Sequence, residues 1–172
     1  MITETSGKKQ LLTAINEPLS RLLELIVALN ENKVNIVPYK DSWTAGELLR
    51  HVTKSTDAIA KAMKQKGTQA QRNAGEKISE LKKVFLDFSH KMNSPQFIVP
   101  EKFSYEKETS SKELKEVFEK LTENTNYADL NEVVEGLPMG EVTKLELLHF
   151  VLYHTQRHLH QMQKISEALK DK

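Results

Sequence analysis

Six histidines and no cysteine define the chemistry open to this chain of 172 residues. Four of the six, His149, His154, His158 and His160, fall in one apolar-patterned stretch near the C-terminus. At about 100° per residue on a helix they do not share a face. His154 and His158 lie one turn apart on the margin of the apolar stripe, whereas His149 and His160 point away from its centre. A His-x-x-x-His pair puts two imidazoles where one metal ion can take both. His51, one turn after Glu47 and beside Leu48, offers a third ligand from the edge of a second helix. Two helices packed side by side can present His51, His154 and His158 to one point, which is how bundles build metal sites. Three neutral imidazoles suit zinc, nickel, iron or copper and not magnesium or calcium. Three protein ligands leave positions open for water or substrate. Gln161 and Glu47 are candidate hydrogen-bond partners behind these ligands. The competing reading makes His154 and His158 partly buried, hydrogen-bonded histidines, and makes Glu47 a helix-capping residue only. His90 and His160 are expected in solvent.

Composition narrows the alternatives. Without Cys there is no disulfide scaffold, thiolate nucleophile, Cys-ligated zinc or iron–sulfur site. A net charge of +1 gives no global field to recruit nucleic acid or an anionic membrane. There is no basic stripe interleaved with aromatics, so nucleic acid is not an expected partner. Glu24 interrupts the apolar stretch from Leu22 to Leu29, which is far shorter than the roughly 18 residues of a spanning helix. The polar start Met1-Ile2-Thr3-Glu4 has no apolar signal core, and a soluble cytoplasmic protein is expected. The length suits one domain over residues 1–172.

The elements that position the histidines read as helices with short breaks. The first spans about Gly7 to Asn30, with a kink at Pro18 or a start near Glu17. Val34 to Lys40 is an extended connector. Thr44-Ala45-Gly46-Glu47 is a capping box that opens a second helix ending before Gly67. Lys66 to Lys77 reads as an exposed basic loop. There Lys64, Lys66, Arg72 and Lys77 either meet the carboxylates of a cosubstrate or are merely solvated. A third helix covers about Ile78 to Met92, and Pro95 and Pro100 bracket a long connection. A fourth helix runs from about Ser111 to Asn126. Thr143-Lys144-Leu145-Glu146 is a second capping box, opening a last helix that continues to about Ala168. The class is all-α: a four-helix bundle with a long crossover connection and one short accessory helix. Only Glu146-Leu147-Leu148-His149 matches Glu-x-x-His, whereas a di-iron bundle takes that motif on two helices.

Two segments together resemble the DinB-like superfamily. Trp43-Thr44-Ala45-Gly46-Glu47-Leu48-Leu49-Arg50-His51-Val52 is similar to the family's tryptophan-to-histidine helix opening. His154-Thr155-Gln156-Arg157-His158-Leu159-His160-Gln161-Met162 is similar to its terminal His-x-x-x-His-x-x-Gln signature, and Gly136 to Thr143 resembles the entry to that helix. Order and spacing agree along the chain. The resemblance implies a divalent metal, usually zinc or nickel, held by His51, His154 and His158, with Trp43 packed at the helix start. It implies a homodimer and a small-molecule substrate, with a low-molecular-weight thiol as cosubstrate in thiol S-transferase chemistry, or a hydrolase. Any sulfur nucleophile must then arrive with the cosubstrate. The alternative is a non-catalytic dimeric bundle with a vestigial or structural His site. No catalytic residue is singled out.

Overall fold

Apolar residues at three- and four-residue spacing can be buried only when helices pack side by side. The computed structural model describes residues 4–170 and 172. Its long helices are α1 (Glu4–Ala28), α2 (Ala45–Lys64), α4 (Lys107–Tyr127) and α5 (Lys144–Ala168), with a short α3 (Ile78–Phe85) between α2 and α4. α1 and α2 each pack against α4 and α5, and α3 lies on α5. This is the expected bundle, and residues 65–106 form its crossover. Leu22, Leu48, Leu49, Leu114, Leu121, Leu147, Leu148 and Met162 are fully buried at its centre. No helix among the described residues is long and apolar enough to cross a membrane.

Local chemistry sets the helix ends. Thr44 and Thr143 both close their capping boxes: each hydroxyl accepts from the amide three residues on, at 3.1 Å, and each threonine amide donates to Glu47 or Glu146 at 2.9 Å. The C-terminal carbonyls, which lack intrahelical donors, accept from lysines of other segments. Lys107 reaches Leu29 at the end of α1, Lys144 reaches Gln65 after α2, Lys8 reaches Ala128 after α4, and Lys33 reaches Leu169 after α5. Each ammonium also opposes the negative end of a helix dipole. α1 runs through Pro18 without a break, because Ile15, Leu19 and Leu22 are buried on either side of it and hold the turn.

Three findings correct the linear reading. α3 stops at Phe85, well before Met92. The Ser89 amide, which would continue the helix, donates to the Asp87 carboxylate, and the Phe85 carbonyl accepts from Arg157 of α5. α4 begins one turn before Ser111, because Glu31 accepts from the Lys107 amide and supplies the missing partner there. The basic stretch contains a strand. Thr68–Gln69 (β1), Glu132–Val134 (β2) and Val142–Thr143 (β3) form an antiparallel sheet in the order β1-β2-β3. Gly67 permits this close approach: a Cβ there would lie 2.3 Å from the Val133 carbonyl oxygen.

Arg72, expected in an exposed loop, instead clamps the crossover to the start of α5. Its guanidinium donates two bonds, at 2.7 and 2.8 Å, to the fully buried Glu146 carboxylate. The Lys77 amide donates to the same group at 2.8 Å. Glu146→Ala should therefore destabilise the protein by about 3–5 kcal/mol, since it strands a half-buried cation and two amides. Urea unfolding measures this, and a loss below about 1 kcal/mol would show that the clamp contributes little.

Candidate metal centre

The three histidines that the sequence placed on two helices meet in the bundle. α2 carries His51 at 1% exposure, and α5 carries His154 and His158 at 6% each. Their Nε2 atoms approach one another pairwise: His51 to His158 at 3.0 Å, His51 to His154 at 3.1 Å, and His154 to His158 at 3.1 Å. Among the described residues, this is the one cluster of His, Cys, Asp or Glu with metal-binding spacing.

The outer nitrogens decide what these contacts are. His51 Nδ1 lies 2.9 Å from the Ile98 carbonyl oxygen, which can only accept, so His51 carries its proton on Nδ1. His158 Nδ1 donates to Gln161 Oε1 at 3.0 Å. A neutral imidazole has one N–H, so both Nε2 atoms present bare lone pairs. The 3.0 Å approach of His51 to His158 therefore sets lone pair against lone pair. His154 can bring at most one proton to the cluster and cannot turn that contact into a hydrogen bond. A second proton is disfavoured. Burial pushes His51 down to about 4, opposed by the Ile98 carbonyl and assisted by Lys54. Burial also lowers His154 and His158 well below the usual histidine range, and the neighbouring histidines add to this. Two bare Nε2 lone pairs that converge with a third buried imidazole nitrogen fit a transition-metal ion.

The surroundings orient the rings. Trp43 packs on His51 at 4.7 Å between ring centroids, and Phe150 packs on His154 at 5.0 Å. Gln161 stands behind His158, as the sequence suggested. Glu47 does not stand behind His51: its carboxylate accepts from the Thr44 amide and from Lys102 at 2.8 Å, so capping accounts for its position. The partner it was expected to be is the Ile98 carbonyl, in the turn Gln96–Ile98 of the crossover. A backbone carbonyl leaves no trace in residue type, so no sequence signal could have found it. His90 is exposed, as expected, whereas His160 is half-buried and stacks on Phe88 at 4.2 Å.

A cavity of about 850 Å³ opens onto the three histidines. Trp43, Ile59, Phe85, Phe88, Phe97 and Phe150 supply its apolar wall. None of Lys64, Lys66, Arg72 or Lys77 lines it. Arg72 is bound to Glu146, and Lys77 donates to the Glu141 carbonyl, so these two side chains are held away from this cavity.

Among curated proteins, the uncharacterized protein YuaE of Bacillus subtilis (strain 168) is 27% identical over 146 residues, covering 83% of this chain and 88% of that one. No solved structure gives a significant match. The profile of the DinB superfamily matches residues 15–162, a span that includes His51, His154 and His158, and the chain belongs to that superfamily.

Proposed function

We propose that the protein is a metal-dependent enzyme in which His51, His154 and His158 hold one divalent transition ion, zinc or nickel. The observation that carries this reading is the approach of the bare His51 and His158 Nε2 atoms at 3.0 Å, which a shared cation would relieve. Such an ion, when bound, supplies Lewis acidity that lowers the pKa of a neighbouring thiol or water. The chain's own residues do the rest. Ile98 and Gln161 hold the two imidazoles in the tautomer that exposes Nε2. Phe85 and Phe150 pack on the His154 ring and fix its orientation. The cavity admits a small electrophile, and with no Cys in the chain any thiolate comes from a low-molecular-weight cosubstrate. This is thiol S-transferase or hydrolase chemistry.

Thermal denaturation across metals and biological thiols tests the proposal. Zinc or nickel at about 100 times its Kd should stabilise the protein by about 2.7 kcal/mol, which raises Tm by about 5–10 °C. A thiol should add a further rise only to the metal-loaded protein. A metal-dependent rise with no response to any thiol would favour the hydrolase. A response to thiols that is the same with and without metal would overturn the S-transferase reading.

A further inference from the structure

The rim of the cavity combines two features that a purely apolar substrate does not require. The first is exposed apolar surface. Tyr39, Phe88, Met92 and Phe97 are 38–52% exposed, and all four line this cavity. The second is positive charge. Lys40 precedes α2, Lys91 belongs to the crossover, and Arg157 and Lys164 lie two turns apart on α5. Asp41 is the one carboxylate among the lining residues. These cations are not balanced by contact with acids. Lys91 donates to the Asp41 carbonyl, and Arg157 donates to the carbonyls of Phe85, Asp87 and His90. Arg157 is half-buried and uses three of its five N–H donors on neutral acceptors, so two donors and a full charge remain. Lys40 and Lys164 have no ion-pair or hydrogen-bond partner among the described residues.

We propose that this cavity binds a small amphiphilic acid: a flat apolar body lies on Phe85, Phe88 and Phe97, and a carboxylate meets the cations Arg157, Lys164 and Lys40. The inference names the substrate class for the site proposed above, but rests on side chains other than the three histidines. Calorimetric titration with 2-naphthoate and its neutral analogue 2-naphthamide tests it, on protein whose metal content is measured. Naphthoate should bind about fivefold more tightly than naphthamide at low salt, and added salt should erode the difference. The preference should shrink in Lys40→Gln/Lys164→Gln, where neither replaced side chain holds the fold, and vanish when Arg157→Gln is added. If the triple variant does not fold, the double variant alone decides. Equal affinity for the two probes, or no binding of either, would overturn the proposal. So would a preference undiminished in the double variant, which would send the carboxylate to a bound ion instead. A protein that lacks metal yet prefers naphthoate would remove the metal reading and leave this one standing.

Discussion

His158→Ala is expected to lose the approximately one equivalent of zinc or nickel that tag-free protein should carry, with helical content unchanged. The substitution removes one of three ligands and leaves two imidazoles, too few to compete for a borderline metal against solvent chelators. It should not cost the fold. Alanine is the better helix former, and the bare nitrogen contact at 3.0 Å disappears with the side chain. Metal-free His158→Ala should therefore be as stable as the metal-free parent, within about 1 kcal/mol. A structural role for His158 alone predicts the reverse, a stability loss with no change in metal. Gln161→Ala should weaken the metal by about 10–100-fold without abolishing it, because only the His158 Nδ1 partner is lost. Metal analysis together with circular dichroism separates these outcomes, and stoichiometric metal in His158→Ala would falsify the assignment.

Acid should unfold the metal-free protein early. In the unfolded chain the three histidines titrate near 6.5. In the fold His51 titrates at about 4, and His154 and His158 well below the ordinary value. Below about pH 6.5 the unfolded chain takes up protons that the folded one refuses, so stability is full above that pH and lost as pH falls. Three refused protons give a slope approaching about 4 kcal/mol per pH unit. The loss continues past pH 4, where His51 itself charges and ceases to contribute. Carboxylates act lower: Arg50 and Lys54 hold Glu101 down to about 2, so its contribution fades only as pH falls below the ordinary carboxylate range. Denaturant unfolding of chelator-treated protein between pH 8 and 5 measures the upper window. His158→Ala should flatten that slope by about one third, and bound metal should shift it to lower pH, because ion and proton compete for the same nitrogens. A stability that does not change between pH 7 and 5.5 would show that the folded histidines titrate normally.

Both expectations rest on a site that is partly legible in the sequence. His154 and His158 can be paired because helical geometry fixes the relation of residues four apart, and the sequence places both on the margin of the apolar stripe. The two threonine-to-glutamate boxes located the starts of α2 and α5, because capping is a contact within four residues. The features that the linear sequence hides depend on contacts across the chain. The end of α3 depends on Arg157, located 72 residues after the Phe85 carbonyl it holds. Arg72 looked solvated because Glu146, its partner, is 74 residues away. Glu47 shares a helix with His51, one turn before it, yet its carboxylate turns to the cap and to Lys102.

The sequence by itself determined the helical class and the two capped helices, because these follow from period and residue type, and it offered His51, His154 and His158 as candidate ligands through the spacing of two of them and a family resemblance. The tertiary structure decided that their Nε2 atoms meet within 3.0–3.1 Å, that Ile98 and Gln161 set which nitrogens are bare, and that the cavity carries cations from three separate segments. The reason is physical: residue spacing constrains neighbours along one helix, whereas the approach of groups from different helices and loops is set only when the whole core packs.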